Sequence, residues 1–397
     1  MKHKLAPYRV LIVTGSRAEF GLLRPVMDAV KRNRRLRLLV AVAGEHLLRP
    51  ASTWREVAAS YRIDARVPMQ RAGDRGRAAH AAATGRGVEG FARAYRRLKP
   101  DWVVVLGDRV EAFAAASAAS IAGIAVCHIH GGDRAEGIAD EAMRHAITKL
   151  SHLHCAATKK SAARIVAMGE PKRNVHTTGS PAIDGLAAIK PMGDRDAGDL
   201  GDPIAVVLLH PSGVGPDADT LGGCLATLLA RLASRRATGR TDRVLLLEPN
   251  HDPGREHILR TYRFSDTDHL PRRAHLPRPD FVALLKRLAR TPGGLLIGNS
   301  SAGLIEAAAV GVPVVNFPPR QNGRERDRNV VDARGIALGA GAPRLGPAEA
   351  LSRALVLSGK LRPSRLFGDG RAGPRIAALL AKVDPRDPAL LRKRNAY

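Results

Sequence analysis

The sequence predicts an α/β protein made of two doubly wound domains, each a parallel sheet with helices on both faces. Continuous apolar strands alternate with helical segments from the start of the chain, which is typical of parallel sheets buried on both sides. The alternation restarts after a segment rich in Gly, Asp and Pro at 186–203, which we interpret as a linker. With 397 residues, the chain also exceeds one ordinary core and fits two domains of about 150–200 residues each.

The first half of the chain predicts four strands and four helices. The strands are expected at 9–14, 36–43, 102–106 and 125–129, and the helices at 20–33, 88–98, 111–122 and 142–150. In the second half, strands are expected at 204–209, 244–248, 294–297 and 314–316, and helices at 221–234, 280–290 and 302–310. Ligands of such sheets bind at the carboxyl ends of the strands, and the polar motifs of this chain all follow predicted strands.

Composition and charge exclude several classes of protein. The net charge of +27 is compatible with nucleic-acid binding, but the arginines are scattered, aromatic residues make up only 4% and no nucleic-acid motif is present. We therefore expect no nucleic-acid partner, and an anionic substrate would suit the charge equally well. No apolar run is long enough to cross a membrane, and three cysteines without metal or disulfide spacing favour a reducing cytoplasm.

The segment 296–324, LIGNSSAGLIEAAAVGVPVVNFPPRQNGR, predicts an anion site. A Gly-Asn-Ser-Ser turn at the start of a helix leaves backbone N–H groups free beside the hydroxyls of Ser300 and Ser301, which suits phosphate. Glu306 follows within two helical turns and is placed for a sugar hydroxyl. Arg320 and Arg324 lie beyond the next strand, where they would reach an anion.

Two motifs of the first domain allow a functional and a structural interpretation. TGSRAEFG at 14–21 forms a strand–helix turn that presents Arg17, or one in which Ser16 simply caps the helix. It is not a dinucleotide fingerprint. In LGDRVE at 106–111, Asp108 is either a helix cap or a general acid or base beside the anion-binding Arg109.

The segment 127–145, CHIHGGDRAEGIADEAMRH, carries the densest set of ionisable groups. His128 and His130 alternate at a strand end, so only one of them is expected to face the site. Such a pair also occurs at metal sites, although no further ligands follow at suitable spacing. Alternatively, acidic residues beside an arginine belong to the solvated surface of a helix. The candidate acids are Asp133, Glu136, Asp140 and Glu141, with Arg144 one helical turn beyond Asp140.

Two further polar motifs follow strands of the second domain. His210-Pro211 comes directly after the strand that opens this domain, and PNHDPG at 249–254 follows the next strand. A lone histidine is more often structural than catalytic. Together with the Gly-Asn-Ser-Ser turn, however, these motifs indicate one shared ligand.

Taken in order, these motifs resemble the hydrolysing UDP-N-acetylglucosamine 2-epimerase family, in the branch that serves sialic, legionaminic or related acid synthesis. The resemblance extends over nearly the whole chain and includes MRHAITKLSHLH, TGSPAID and FGDGRAGPRIAALL. It implies a GT-B fold, namely two Rossmann-like domains with a central cleft, at 1–185 and 204–372. It also implies that a C-terminal helix in 373–397 crosses back to the first domain.

The resemblance further implies residue roles. UDP is eliminated across C1–C2 of the sugar and water then adds, with no metal and no cofactor. Asp108 and Asp140 would be the acid–base carboxylates, with Arg144 alongside. The UDP-sugar would be bound by Arg17, Ala18, Arg109, His210, Asn250, Ser300, Ser301, Glu306 and Arg320. A homo-oligomer, dimer or tetramer, is expected, because relatives often form one.

One departure from the family pattern concerns the residues expected to carry out catalysis. Many members carry Glu before the Gly-Gly pair, where this chain has His130, and the spacing to Arg144 is longer. Either Asp133 or Glu136 takes over as the acid, or His130 itself shuttles the proton. The departure also admits a 4-acetamido-6-deoxy substrate such as UDP-N,N′-diacetylbacillosamine. The alternative functions are a non-hydrolysing 2-epimerase, a GT-B glycosyltransferase and a protein that binds UDP without turnover.

Overall fold

The computed structural model divides the chain into two compact units. The first comprises Met1–Asp133, Asp140–Gly185 and Phe367–Tyr397, and the second comprises Arg134–Ala139 and Leu186–Leu366. The structure describes residues 6–49, 52–74, 76–135, 141–211, 225, 227–228, 243–249, 254–264, 267, 269–317, 320–333 and 345–396.

The first unit contains a 7-stranded sheet in which all neighbouring strands run parallel. Its strands are β1 (Tyr8–Thr14), β2 (Leu36–Ala43), β3 (Ala65–Val67), β4 (Trp102–Leu106), β5 (Ala125–Ile129), β6 (Leu153–Ala156) and β7 (Val175–Thr177). Their order is β3-β2-β1-β4-β5-β6-β7. The order reverses between β1 and β4, which makes the carboxyl ends of these strands the expected ligand position.

The second unit contains a 6-stranded parallel sheet of the same design. Its strands are β8 (Ala205–Leu208), β9 (Val244–Leu247), β10 (Arg272–Arg273), β11 (Leu295–Gly298), β12 (Val314–Asn316) and β13 (Val330–Asp332). The order β10-β9-β8-β11-β12-β13 again places the first strand of the unit beside the fourth. Both units therefore have the Rossmann strand order.

Helices alternate with these strands throughout the described residues. In the first unit they are α1 (Arg17–Arg32), α2 (Trp54–Ala58), α3 (Gly76–Leu98), α4 (Val110–Ile121), α5 (Glu141–Leu150) and α6 (Lys159–Ala167). In the second they are α7 (Asp194–Gly198), α8 (Arg255–Phe264), α9 (Arg278–Leu288), α10 (Ser301–Leu304), α11 (Glu306–Val310) and α12 (Pro347–Leu357). The chain then returns to the first unit with α13 (Ala372–Lys382) and α14 (Pro388–Leu391).

Strand β1 shows how the sequence builds a core on both faces of a sheet. Its side chains point alternately to the two faces. Val10 and Ile12 join the core that includes α1 and α13, whereas Leu11 and Val13 join the core that includes α3 and α4. All four residues are at most 1% exposed. A strand with no polar face is therefore explained by helices on both sides.

The C-terminal helix α13 packs closely against α1 within the first unit. A Cβ atom at Gly373 would lie 2.6 Å from the carbonyl oxygen of Pro25, so only glycine permits this approach. The carboxylate of Asp184 accepts hydrogen bonds from the backbone N–H groups of Ala372 (2.9 Å) and Gly373 (2.6 Å). It thereby caps the start of α13 from a distant part of the chain.

The segment 186–203, whose composition indicates a linker, packs into the second unit. It forms α7, and its apolar residues Met192, Ala197 and Leu200 are buried beside strand residues of the core. These few apolar residues are enough to hold the segment in place. Composition alone does not reveal this packing, because the residues lie between polar and Gly-rich positions.

Candidate functional site

The turn between β1 and α1 is held from both ends. Ser16 accepts a hydrogen bond from the backbone N–H of Glu19, which confirms the helix-cap interpretation of this serine. The Glu19 carboxylate in turn accepts the backbone N–H of Gly15 at 2.6 Å. Arg17 forms a half-exposed ion pair with Glu56 at 3.4 Å. Ala18 is exposed, so its contribution to any ligand site would be through its backbone and methyl group.

The first turn of α4 brings a buried carboxylate against this turn. The Glu111 side chain is inaccessible to solvent, and a Cβ atom at Gly15 would lie 2.6 Å from its Cγ. Arg109 binds Glu111 (3.3 Å) and Glu45 (2.6 Å). The predicted anion-binding Arg109 thus sits between two carboxylates in this structure. Burial, together with the nearby Glu111 charge, raises the pKa of Glu19 to about 8 against the hydrogen bond from Gly15.

Asp108 forms an ion pair with Arg144, which excludes the helix-cap interpretation of this aspartate. Helix α4 begins at Val110, and its N-cap is Arg109, which makes no capping hydrogen bond through its side chain. Arg144 is 1% exposed, so this arginine is not part of a solvated helix surface. Its guanidinium also donates to Glu141 (2.5 Å) and to the backbone oxygen of Asp133 (3.2 Å). Arg144 therefore joins the strand end after β4 to the one after β5.

His130 lies directly after β5 in a left-handed conformation, with φ of 64°. Such a conformation costs about 1–3 kcal/mol for a residue other than glycine and tends to occur at functional sites. Its Nδ1 lies 2.8 Å from a carboxylate oxygen of Asp133, and its Nε2 lies 2.8 Å from the hydroxyl of Ser180. The other Asp133 oxygen accepts the hydroxyl of Ser161 at 2.7 Å.

These contacts fit one tautomer of neutral His130. In it, the Nδ1–H group donates a hydrogen bond to the Asp133 carboxylate, and Nε2 accepts one from the Ser180 hydroxyl. Ser180 is fully buried, and its oxygen also accepts the backbone N–H of Ala182 at 3.1 Å. Both oxygens of Asp133 are therefore engaged, and this residue orients His130.

The other histidines at these strand ends are structural. His128 bonds the backbone oxygen of Gly107 (2.8 Å) and the hydroxyl of Thr148 (3.2 Å), and burial lowers its pKa to about 3. His46 lies between the hydroxyls of Thr14 and Thr53, and burial lowers its pKa to about 4. Among the described residues, no group of three or more His, Cys, Asp and Glu side chains is arranged to hold a metal ion.

In the second unit, the Gly-Asn-Ser-Ser turn is locked to the end of β8. Gly298 has no room for a side chain, because a Cβ atom would lie 1.9 Å from the backbone oxygen of Leu208. The Asn299 side chain accepts the backbone N–H of His210 (2.7 Å) and donates to its backbone oxygen (2.8 Å). The predicted residues His210 and Ser300 are thus brought together by an asparagine between them that the prediction did not include.

The helix after this turn differs from the prediction. The helix expected at 302–310 forms as two short pieces, α10 and α11, which Ile305 separates while it keeps a distorted helical conformation. Ser300 caps α10 through the backbone N–H of Ala302 at 3.4 Å, and Ser301 is its first residue. Glu306 begins α11 and is buried. An anion at the turn would therefore rely on local N–H and hydroxyl groups more than on a long helix.

The basic loop after β12 also returns to this turn. Arg320 donates to the backbone oxygens of Pro211 (3.2 Å) and Asn299 (3.5 Å), and Gln321 donates to that of Asn299 at 2.9 Å. Within the described residues, the buried Nε of Arg324 has no hydrogen-bond partner. An N–H donor left in this state would be satisfied by an anionic ligand.

Three predicted site residues, Glu136, Asp140 and Asn250, lie outside the described residues. The structure adds residues that the prediction missed or left without a role, namely Glu141, Ser161, Ser180 and Asn299. Glu141 was named only as a candidate acid, whereas here it binds Arg144. Ser180 lies in the motif TGSPAID, and this motif was the one signal that would have identified it.

The fold defines an α/β protein of the GT-B type, with two Rossmann-like units whose polar clusters follow the strand ends. The prediction of two doubly wound parallel-sheet domains is therefore confirmed. No helix in the described part of the chain is long and apolar enough to span a membrane.

Comparison with known proteins narrows this class. The family described as UDP-N-acetylglucosamine 2-epimerase matches residues 28–381. A UDP-N,N′-diacetylbacillosamine 2-epimerase (hydrolyzing) of Legionella pneumophila is 34% identical, over 98% of this chain and 99% of its own. A UDP-N-acetylglucosamine 2-epimerase of Neisseria meningitidis serogroup B is 30% identical, over 81% and 83%. The crystal structure of a UDP-GlcNAc 2-epimerase from Neisseria meningitidis bound to UDP-GlcNAc aligns with a TM-score of 0.73, at 18% identity over 94% and 100%. The chain therefore belongs to the UDP-N-acetylglucosamine 2-epimerase family.

Proposed function

We propose that this chain is a hydrolysing UDP-sugar 2-epimerase, which releases UDP and a free 2-epimerised amino sugar. The observation that carries this proposal is the ion pair of Asp108 with the buried Arg144, joined to His130–Asp133 at adjacent strand ends, in a chain of this family. The relative from Legionella pneumophila, which matches almost end to end, is named a hydrolyzing 2-epimerase.

The second unit would hold UDP. The diphosphate would take the backbone N–H groups of the Gly-Asn-Ser-Ser turn, the hydroxyls of Ser300 and Ser301, and the unpaired N–H of Arg324. Glu306 would accept the ribose hydroxyls. Arg320 and His210 would position the turn, because both are bonded to its backbone or to Asn299. Asn250 is assigned to the same ligand on the family resemblance.

The first unit would supply the proton transfers. In the elimination step, the C2–H and C1–O bonds break, a C1–C2 double bond forms, and UDP leaves with the C1 oxygen. Asp108 would take the C2 proton, since its carboxylate is held by a buried guanidinium that fixes its position. Arg17 and Arg109 would stabilise the negative charge that develops on the departing UDP.

Water then adds across the double bond, with its hydroxyl on C1 and a proton on C2 from the opposite face. His130, oriented by Asp133, would deliver this proton from Nε2 in its protonated form, and the proton released by the adding water would restore that form. Asp133 acts here as the orienting group, while Glu136 and Asp140 are the further acids that the resemblance assigns. The sum of the two steps is redox-neutral, so it requires no redox cofactor.

The substrate is best sought among UDP-linked 2-acetamido sugars. The relative from Legionella pneumophila is named for UDP-N,N′-diacetylbacillosamine, which favours a 4-acetamido-6-deoxy sugar over UDP-N-acetylglucosamine. The test is the rate of UDP release from each of the two substrates, measured at equal concentration. We expect faster release from UDP-N,N′-diacetylbacillosamine. A preference for UDP-N-acetylglucosamine would overturn this substrate assignment, and UDP release from neither would overturn the proposed function.

We further propose a homo-oligomer, dimer or tetramer, that acts in the cytoplasm. The oligomer is proposed on the family resemblance alone, since relatives often form one. Cys127 and Cys155 are buried free thiols, as suits a reducing compartment. Light scattering tests the assembly, and a monomer at micromolar concentration would contradict it.

A further inference from the structure

A cavity of about 380 Å³ lies within the first unit, at the amino-terminal ends of β6 and β7. Its wall is formed by His152, the loop from Glu170 to Asn174, and the segment from Pro388 to Arg394. The candidate active-site residues of this unit follow the carboxyl ends of the strands. The cavity therefore lies at the opposite edge of the same sheet and belongs to no site described above.

The lining of this cavity is strongly basic. Its cationic side chains are Arg173, Arg392, Lys393 and Arg394, and its single carboxylate is that of Glu170. Within the described part of the chain, Arg173, Arg392 and Arg394 form no ion pair, and all three are exposed. Three guanidinium groups around one concave surface repel each other, and a bound anion would relieve this repulsion.

Glu170 is fully engaged away from these arginines. Its two oxygens lie 2.7 Å from Lys149 and 2.8 Å from Lys393, and the second oxygen is 3.1 Å from His154. Burial alone would raise the pKa of Glu170, but hydrogen bonds from His154 and the two lysines lower it to about 2. The carboxylate is therefore a permanent, internally neutralised anion, and it leaves the arginines of the cavity without compensation.

Lys393 has a separate structural task. Its ammonium group donates to the backbone oxygen of Lys149 at 2.6 Å, at the C-terminal end of α5. There it satisfies a helix carbonyl that lacks an intrahelical partner. Arg392 and Arg394 flank Lys393 in sequence, and neither makes such a contact with any residue that the structure describes. Replacing these two arginines therefore tests the cavity without destabilising the fold.

We infer that this cavity is a binding site for a small anionic molecule bearing a phosphate or carboxylate group, of about the size of a monosaccharide. Guanidinium groups match both anions with paired hydrogen bonds. The cavity volume falls at the lower end of the roughly 300–1,000 Å³ typical of small-molecule sites. The site is separate from the UDP-sugar site, so its existence does not depend on the proposed reaction.

The test is isothermal titration of the full chain with glucose 6-phosphate, gluconate and uncharged glucose, each with and without saturating UDP. We expect one site for at least one of the two anions, no binding of glucose, and no competition from UDP. Tighter binding of either anion assigns the phosphate or the carboxylate as the preferred group. Absence of binding of both anions, or displacement by UDP, would overturn the inference.

A matched pair of variants localises the binding. The double variant Arg392→Gln/Arg394→Gln should weaken anion binding at least about tenfold, as expected for the loss of charge-assisted hydrogen bonds. The control Arg34→Gln/Arg37→Gln removes the same charge from exposed arginines elsewhere in this unit and should leave the affinity unchanged. Equal weakening in the two variants would show a diffuse charge effect and overturn the site.

Discussion

Replacement of Asp108 by asparagine separates the catalytic from the structural contribution of the Asp108–Arg144 pair. The change keeps the shape of the side chain and removes its charge, so the C2 proton loses its acceptor. A general base typically contributes a factor of about 10²–10⁴, and we expect turnover to fall by that factor. UDP affinity should stay at the wild-type level, because Asp108 is assigned no contact with UDP and the residues proposed to hold UDP are unchanged.

The structure limits the accompanying loss of stability. The Arg144 side chain is 2% exposed and that of Asp108 is 19% exposed, so the guanidinium depends on its protein partners. In Asp108→Asn it retains Glu141 at 2.5 Å and the backbone oxygen of Asp133 at 3.2 Å. We therefore expect a loss of about 1–3 kcal/mol, below the roughly 3–5 kcal/mol of a buried charge left without a partner.

The assay is UDP release at saturating UDP-sugar, with UDP affinity from titration and unfolding temperature from calorimetry. Asp101→Asn is the matched control, since Asp101 precedes the same strand, pairs with Arg386 at 2.8 Å and is 13% exposed. It should lose similar stability and keep its turnover. Turnover of Asp108→Asn within a factor of about ten of wild type would refute the role of this carboxylate.

Three further changes test other parts of the site. Glu306→Ala should weaken UDP binding by about 1–3 kcal/mol in a titration, whereas exposed Glu349→Ala should not; equal affinities would remove Glu306 from the ribose site. Gly15→Ala places a Cβ atom 2.6 Å from a neighbouring carboxylate side chain. It should cost about 1–3 kcal/mol of stability and slow turnover, whereas the control Gly85→Ala, with nothing within 4 Å of its Cβ, should not destabilise the protein. Equal unfolding temperatures of the two variants would be inconsistent with this crowding. Burial raises the pKa of Glu19 from 4.5 to about 8, so the folded state holds more protons than the unfolded state in that range and this residue's contribution to stability falls as pH rises. The unfolding temperature of Glu19→Gln should therefore rise relative to wild type between pH 5 and pH 8, and a constant difference would contradict the shifted pKa.

The buried apolar strands were predictable from the sequence, whereas the short edge strands of the first sheet were not. Apolar runs at 36–43, 102–106 and 125–129 coincide with β2, β4 and β5. In contrast, β3 and β7 have three residues each, too few for a period to emerge. Both lie at the edges of the first sheet, where pairing with one neighbouring strand, rather than the local sequence, stabilises the strand conformation.

The position of the candidate site was predictable, but its hydrogen-bond partners were not. Asp108 and His130 stand directly after buried strands, so topology alone brings them to one edge of the sheet. Ser180 lies fifty positions beyond His130, and no local sequence pattern predicts that contact. Likewise, the burial of Arg144 depends on packing against other elements, which a charged helix sequence does not reveal.

The position of isotopes from labelled water tests the central proposal most directly. The enzyme is mixed with UDP-N,N′-diacetylbacillosamine in H₂¹⁸O or D₂O, and the products are examined by mass spectrometry and NMR. Elimination followed by addition of water predicts UDP without ¹⁸O, and a free 2-epimerised sugar with ¹⁸O on C1 and deuterium on C2. A UDP-linked epimer without release of UDP, or a free sugar that retains its original C2 hydrogen, would contradict the account.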